Sequence, residues 1–184
     1  ANMNYFNHVK PLPSYYWDGR TKMTCMKTVI EQSLKFAYAH HIQRLMITGN
    51  FALLAGVQPD EVDAWYLGIY IDAIQWVEIT NTRGMSQYAD GGIIATKPYV
   101  SSANYINSMS DYCQDCHYDH RARYGQRACP FNSFYWDFLA RHRQKLEKNP
   151  RVAMMYRTWD RKDDGEKEKI LKQAKTYKKI LNDL

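Results

Sequence analysis

The sequence predicts an all-α fold with long functional loops. Apolar residues recur at helical spacing in several segments, and no alternating pattern marks a β-strand of any length. A chain of 184 residues can bury one hydrophobic core, so we expect a single domain over residues 1–184. No stretch approaches the roughly 18 apolar residues of a membrane-spanning helix, and no targeting pattern is present. We therefore expect no membrane contact and a cytoplasmic location.

The first part of the chain predicts a loop and then helices. Residues 11–20 contain two prolines and a glycine, which are typical of an ordered, extended loop. From about residue 24 to 39 the pattern is helical, with Cys25 in the first turn. A strongly apolar stretch follows and ends at Gly56.

Pro59 and the acidic residues after it are typical of a helix start, because proline fits the first turn and carboxylates complement the helix dipole. This helix, roughly residues 59–72, is apolar nearly all round and is predicted to be buried. Residues 80–100 are rich in Gly, Asn, Thr and Ser and predict a long loop. Long loops in helical domains tend to bind ligands.

The second half predicts further helices around a polar loop. Ser101 and Ser102 are expected to cap a helix that runs to about residue 109. A loop that holds three cysteines follows. The remaining predicted elements are a helix over about 132–146, a short segment over 150–159, and a lysine-rich amphipathic helix over 163–184.

Four cysteines carry the strongest chemical signal. Cys25 stands alone, whereas Cys113, Cys116 and Cys129 form the pattern C-x2-C-x12-C-P. Four thiolates suit either structural zinc or an iron–sulfur cluster, and a proline after the last cysteine favours iron, as in ferredoxin-type motifs. Two disulfides are the alternative, but a chain of this size does not need them. Spacing alone leaves zinc and iron both open.

Composition suggests a flat ligand and a polyanionic partner. The chain contains 15 Tyr and 5 Trp, and its formal net charge is +6. Large amphipathic rings suit a pocket for a planar ligand or for nucleobases, although core packing also explains them. The charge favours nucleic acid, with solubility as the alternative reading.

Six strings point to a known family. They are YAHHIQRLMITGNFALLAG, DEVDAWYLGIYIDAIQWVE, NTRGMSQYADGG, TKPYVSSANYI, CPFNSFYWDFL and NPRVAMMYRTWD. With the cysteine spacing, they resemble the iron–sulfur bacterial cryptochromes and photolyases, the branch that includes the prokaryotic (6-4) photolyases. Members carry an N-terminal α/β antenna domain and the first part of the helical FAD domain, neither of which matches this chain. The resemblance implies that residues 1–184 form the C-terminal part of the FAD-binding domain.

The resemblance implies two cofactors within this region. The four cysteines would hold a [4Fe-4S] cluster, mainly in a structural role. FAD would contact a mostly apolar pocket with a few polar groups. An antenna chromophore would bind the N-terminal domain. The implied flavin-proximal residues are Asp72, Glu78, Asn81, Arg83 and Gly84.

The resemblance also implies catalytic, electron-transfer and DNA-binding residues. The histidine pair would supply a proton at the lesion, with His41 nearest the flavin–lesion contact and His40 as its partner. Aromatic and apolar walls would replace the stacking that a flipped base loses. The cavity residues are Met85, Tyr99 and Tyr105; the electron-transfer residues are Trp17, Trp65 and Tyr66; the candidate phosphate contacts are Lys97, Arg121, Arg123 and Arg127.

Three functions remain in competition. The first is light-driven repair of (6-4) photoproducts in damaged DNA by electron transfer from reduced FAD, in a protein that is a monomer when intact. The second is a bacterial cryptochrome, a blue-light photoreceptor with the same flavin photochemistry. The third is a flavin-free iron–sulfur module that binds nucleic acid. The intact histidine pair favours repair.

Overall fold

The structure is a computed structural model that describes residues 3–184, apart from the side chains of Gln75 and Glu78. It confirms the all-α class: over the described residues the chain forms helices, with two isolated β-bridges and no named strand. Two π-helical segments are π1 (Arg44–Gly49) and π2 (Ile79–Ser86). The α-helices are α1 (Thr24–Phe36), α2 (His41–Gln43), α3 (Asn50–Ala55), α4 (Pro59–Ile69), α5 (Gln75–Glu78), α6 (Ala103–Met109), α7 (Pro130–Arg141), α8 (Arg143–Leu146), α9 (Ala153–Asp160) and α10 (Asp164–Lys179).

Helix α1 begins where the sequence predicts, with Cys25 buried in its first turn. It ends at Phe36, earlier than the predicted residue 39, because Ala37 has the left-handed backbone conformation with φ of 50°. A left-handed residue is a common way to end a helix. The chain then turns toward the histidine pair.

The apolar stretch before Gly56 forms one continuous helical rod through α2, π1 and α3. The His40 side chain caps its start by accepting a hydrogen bond from the backbone N–H of Ile42, and Gln43 completes a capping box. Gly56, with φ of 85°, ends the rod. In the middle of the rod, the carbonyl of Arg44 accepts hydrogen bonds from the side chains of Thr48 and Tyr66. The backbone changes from α-helical to π-helical hydrogen bonding at this position.

Helix α7 is the centre of the core. Its residues 130–139 are all buried, and it packs against α3 on one side and α10 on another. Phe51 of α3 contacts Phe131 and Phe134, with ring centroids 5.2 Å and 5.7 Å apart. Burying such rings contributes roughly 1.5–3 kcal/mol per side chain. The predicted helix over 132–146 is in fact two helices, because the regular backbone breaks at His142.

The lysine-rich tail is an amphipathic helix, as predicted. Ile170, Ala174 and Tyr177 are buried, and the Tyr177 hydroxyl donates to the carbonyl of Ala128 at 2.7 Å. The long helix ends at Lys179 rather than continuing to the last residue, and a short 3-10 turn follows.

Two sequence predictions about local structure were wrong. Residues 80–86 are helical rather than loop, because buried Thr82 and Ser86 give π2 an inward face despite its polar composition. Ser102 makes no side-chain cap, and the N–H of Ala103 instead donates to Asn132 Oδ1 at 3.0 Å. The short segment over 150–159, for which the sequence predicts no secondary structure, contains most of helix α9.

No helix among the described residues has the length and apolar character needed to cross a bilayer.

Two histidines meet inside the protein. His8 Nε2 and His142 Nε2 lie 3.1 Å apart, and both rings are buried against Phe6 and Phe138. Burial, reinforced by the nearby charge of Arg141, lowers the pKa of each histidine to about 3. The folded protein therefore holds both rings neutral.

This pair predicts an acid-sensitive fold. In the unfolded chain a histidine takes a proton near pH 6.5, whereas these two stay neutral in the folded protein until about pH 3. Their stabilising contribution is complete above pH 6.5 and is lost as the pH falls toward 3. The urea midpoint should therefore be lower at about pH 5 than at about pH 7.5.

A double variant, His8→Gln with His142→Gln, should show a smaller drop between the two pH values. The exposed His41→Gln variant is the matched control and should keep the full drop. An undiminished drop in the double variant would contradict the assignment.

Candidate functional site

An open cavity of about 190 Å³ lies between π1, π2 and the segment after α4. It brings together four of the predicted site residues, which are distant in sequence: His41, Tyr66, Asp72 and Asn81. The structure adds residues that the sequence reasoning did not single out. These are Tyr38, Ala39, Arg44, Leu45, Val77, Thr82 and Ser86.

Arg44 organises the polar side of this cavity. Its guanidinium donates two parallel hydrogen bonds to Asp72, at 2.8 Å and 3.0 Å, and a third to the carbonyl of Ala39 at 2.7 Å. It also lies over the ring of Tyr70, with 3.9 Å from Cζ to the centroid. The hydrogen bonds from Arg44 lower the pKa of the Asp72 carboxyl, so this acid is ionised at neutral pH.

The sequence contained a signal for this pair. Arg44 lies three residues after His41, on the same turn of the helical rod. A cavity that is lined by His41 is therefore expected to be lined by Arg44 as well. Its partner Asp72 was singled out only through the family resemblance. The pairing itself joins two distant segments and has no local pattern.

The two histidines have different environments. His41 lines the cavity and is exposed. His40 uses its ring Nδ1 to accept from the N–H of Ile42 at 3.2 Å, so its side chain caps the helix. Of the pair, His41 is thus the one that lines the cavity.

A row of buried aromatic rings leads away from the cavity. Tyr66, which lines it, lies 5.4 Å from Trp65 by ring centroids, and Trp65 lies 5.2 Å from Tyr16. Tyr15 continues the row at 5.7 Å from Tyr16. Trp65 is fully buried and donates from Nε1 to the carbonyl of Tyr16 at 2.9 Å. The predicted residue Trp17 lies at the surface, with 56% of its area exposed.

The other residues predicted to lie near the flavin differ in burial and in what they contact. Asn81 lines the cavity, whereas the guanidinium of Arg83 bonds Asp60 and Asp63 on α4. Those two carboxylates accept from the Nε and Nη2 donors of Arg83, which does not line the cavity. Gly84 is buried and packs against the side chain of Ile94. The side chain of Glu78 lies outside the described residues.

The predicted lesion-cavity residues do not all line the main cavity. Tyr105 lines a smaller apolar cavity of about 100 Å³ with Ile42, which directly follows His41. Tyr99 and Met85 are half-buried and do not line either cavity. The structure therefore places one of the three next to the histidine pair.

Exposed apolar side chains lie in the same chain segments as the cavity residues Tyr38, Asp72 and Val77. They lie in two neighbouring segments, which are joined by a hydrogen bond from the N–H of Ile71 to the carbonyl of Ala37 at 3.0 Å. A group of large exposed apolar side chains is typical of a surface that contacts another protein segment or a ligand. The exposed residues are Phe36, Tyr38, Ile71, Ile74, Trp76 and Ile79.

All four cysteines are free thiols, with Cys25 and Cys129 buried and Cys113 and Cys116 half-buried. The Sγ of Cys116 lies 3.8 Å from the carbonyl of Lys22, just before Cys25. Burial raises the pKa of Cys25 well above its usual range, and the charges of Cys129, Cys116 and Cys113 raise it further. Among the described His, Cys, Asp and Glu side chains, no three are gathered closely enough to hold a single metal ion.

The predicted DNA contacts separate into two groups. Arg121 and Arg123 line a polar cavity beside α6. Arg127 instead supports the cysteine loop, donating to the carbonyl of His117 at 2.8 Å and to that of Cys116 at 3.5 Å. Lys97 is half-buried in the segment before α6.

These features define a helical domain with a polar cavity beside a row of buried rings, and with four free thiols. No family model matches the chain. The chain is 54% identical over 182 residues, 99% of its length, to a (6-4) photolyase of Agrobacterium fabrum, and it spans 36% of that protein. It is also 30% identical over 139 residues, 76% of its length, to an uncharacterized protein of Acanthamoeba polyphaga mimivirus, which it covers completely.

The chain belongs to the photolyase family. The expectation drawn from the six strings is thereby confirmed at the level of the family.

Gly49 lies at the contact between π1 and π2, and we expect its substitution to destabilise the fold. A side chain at Gly49 would meet Ser86 Oγ, and it would lie 2.8 Å from the Arg44 carbonyl and 3.2 Å from the Tyr66 hydroxyl. Gly49→Ala should therefore lower the free energy of unfolding by about 1–3 kcal/mol, measured by urea denaturation.

Gly68→Ala is the matched control. Gly68 is also helical, but nothing lies within 4 Å of the added methyl group. This variant should be neutral or more stable by up to ~1 kcal/mol, because alanine favours the helix. Equal effects of the two substitutions would show that the π1–π2 contact is not tight.

Proposed function

We propose that the protein containing this chain is a (6-4) photolyase, which repairs (6-4) photoproducts in damaged DNA by light-driven electron transfer from FAD. The observation that carries the proposal is the single cavity that joins His41, Tyr66, Asp72 and Asn81. The relative from Agrobacterium fabrum, named a (6-4) photolyase, supports the same assignment. Because the chain spans only 36% of that relative, the activity is proposed for the complete protein.

The cavity suits one part of a flavin. Leu45 and Val77 supply apolar surface, Tyr66 an aromatic edge, and Asn81 an amide. Pockets for ligands of drug size measure roughly 300–1,000 Å³, so a cavity of about 190 Å³ would hold only part of a dinucleotide. Exposed apolar side chains in the same segments, such as Ile71 and Trp76, support completion of the site by another part of the longer protein. When bound, FAD supplies the light-driven electron.

The residues of this chain would position the substrate and supply it with a proton. The ionised Asp72, held by two hydrogen bonds from Arg44, keeps a carboxylate in a fixed orientation in the lining of the cavity. His41 is free to present an imidazole nitrogen to a substrate, because the helix cap uses His40 instead. Tyr66, Trp65 and Tyr16 form closely spaced, buried rings, which is what electron transfer between a cofactor and a distant donor requires.

Four thiols around α1 suit a [4Fe-4S] cluster. Each iron of such a cluster takes one thiolate, so its sulfurs stay farther apart than four sulfurs at about 2.3 Å from one zinc ion. The charges of Cys129, Cys116 and Cys113 all act on the Cys25 thiol, and four sulfurs near one another support a shared site. As free thiols, Cys113 and Cys129 have pKa values raised to about 11 and about 12, so binding would release protons.

One observation favours a second candidate for the chain alone. The small, open cavity suggests that residues 1–184 by themselves retain the cluster without flavin, as an iron–sulfur nucleic-acid-binding module. A cryptochrome-type photoreceptor would use the same cavity, and the repair experiment below separates it from a photolyase.

Repair should depend on His41. In the complete protein, His41→Ala should slow light-dependent repair of a (6-4) oligonucleotide by roughly 10²–10⁴-fold, because proton transfer by a positioned side chain contributes that much. Bound flavin, read from its absorption, should be retained. The matched control is His40→Asn, since asparagine still caps the helix, and it should lose much less activity.

Undiminished repair by His41→Ala would remove this residue from the chemistry. If the unaltered protein binds flavin and photoreduces it but repairs nothing, the photoreceptor function replaces the proposal.

The iron content of the purified chain should depend on Cys25. The purified chain, prepared anaerobically, should contain iron with the brown absorption of a cluster and no flavin bands. Cys25→Ala should lose most of the iron, because this buried thiol joins α1 to the cysteine loop. Zinc in place of iron, measured by elemental analysis, would contradict the cluster assignment.

A further inference from the structure

The side chain of Gln43, two residues after His41, makes hydrogen bonds from both ends of its amide. Its Oε1 atom accepts from the backbone N–H of His40 at 2.9 Å and from Gln32 Nε2 at 3.2 Å. Its Nε2 atom donates to Gln32 Oε1 at 3.3 Å and to the Tyr112 hydroxyl at 3.2 Å. An amide oxygen accepts two hydrogen bonds and an amide nitrogen donates two, so the side chain is fully used.

The partners fix which way this amide points. The backbone N–H of His40 can only donate, so it must face the oxygen of Gln43 and not the nitrogen. The nitrogen then faces the Tyr112 hydroxyl, which accepts from it. Gln32 exchanges hydrogen bonds with the same amide and thereby joins α1 to the start of the rod. One side chain therefore connects α1, the turn before the rod and the segment that leads into the cysteine loop.

The first turn of the rod depends on this amide. His41 is the first residue of α2, and residues 37–40 before it are not helical. The N–H groups at the start of a helix need partners outside it, and the capping box formed by His40 and Gln43 supplies them. Arg44 ties the same turn to the main cavity, whereas Gln43 ties it to the cysteine loop. The backbone that carries His41 is thus held from two sides.

The hydroxyl at the far end of this link belongs to the residue directly before Cys113. We propose that Gln43 is a positioning residue for His41, and that through Tyr112 it makes the position of His41 depend on the cysteine loop. Proton transfer needs a donor and an acceptor within roughly 2.6–3.2 Å, so a displaced first turn slows it.

The inference rests on the proposed function, in which His41 supplies a proton to the substrate. It goes beyond that function because it gives the cysteine loop an effect on repair that is transmitted by side-chain hydrogen bonds of this chain. Loss of the link should leave the flavin and the metal content unchanged and should alter only the step in which His41 takes part.

The experiment asks whether Gln43 acts through His41. Light-dependent repair of a (6-4) oligonucleotide is measured for the complete protein and for Gln43→Leu, which removes the amide and keeps the size of the side chain. Repair should slow roughly 5- to 30-fold, the factor expected for the net loss of one or two hydrogen bonds. In a His41→Ala background the same substitution should have little further effect, because the residue that it positions is already absent. A purely structural role would give the same factor in both backgrounds.

Two further variants test the link to the cysteine loop. Tyr112→Phe removes only the hydroxyl and should slow repair roughly 2- to 10-fold, but it should add nothing to Gln43→Leu. Gln43→Glu should keep most of the repair rate, because glutamate also completes a capping box and its carboxylate accepts from the Tyr112 hydroxyl. The matched control is Tyr124→Phe, at an exposed tyrosine of the same loop, and it should repair as the unaltered protein does. Flavin absorption and iron content should be the same in all of these variants.

Every other result overturns the inference. If Gln43→Leu slows repair equally with and without His41, the amide only stabilises the fold. If Gln43→Leu repairs at the unaltered rate while His41→Ala does not, the amide does not position the histidine, and the proposed function stands. If Tyr112→Phe behaves like Tyr124→Phe, or if Gln43→Leu loses iron, the link to the cysteine loop is not the cause. If the unaltered protein repairs nothing, the proposed function fails together with this inference.

Discussion

The two ends of Arg44 hold together the segments that surround the main cavity. Its guanidinium joins Ala39 to Asp72, and its carbonyl accepts hydrogen bonds from the hydroxyls of Tyr66 and Thr48, at 2.6 Å and 3.2 Å. The first set draws the end of α4 toward the histidine pair. The second takes the carbonyl out of regular α-helical bonding and opens the π segment. A planar cation that donates three hydrogen bonds in fixed directions can hold such a junction, whereas a lysine lacks this rigid fork of donors.

A second polar side chain has the same role in the cysteine half of the molecule. Asn132 ties α7, α6 and the loop after the cysteines through three hydrogen bonds, and it does so from within the core. Buried polar groups are expensive unless they are satisfied, so a fully bonded amide gives the loop one arrangement rather than many. Arg127 reinforces the same loop from outside by bonding the carbonyl of His117. The cysteines are therefore presented by a loop that is already ordered.

Local patterns were sufficient for the fold class and for several helices. Cys25 lies in the first turn of α1, and Pro59 starts α4, because caps, dipoles and periodicity act within a few residues. The histidine and cysteine positions came from residue chemistry and from the family resemblance. By contrast, the polar composition of π2 predicts a loop, because the burial of Thr82 and Ser86 depends on tertiary contacts. The pairing of Arg44 with Asp72 and the role of Asn132 likewise depend on distant segments, which no local pattern reports.

The π segment has a consequence for the register of the helical rod. A π segment bonds i to i+5 instead of i to i+4, so it accommodates one residue more than an α-helix over the same rotation. Removing one residue between positions 44 and 49 and restoring α bonding would therefore leave the two ends of the rod in nearly the same orientation. Removing one residue from α2 would instead turn His41 by about 100° relative to Phe51, which anchors α3 in the core, and away from the cavity that Asp72 also lines. The π segment is thus a place where the rod can shorten by one residue while His41 keeps its position.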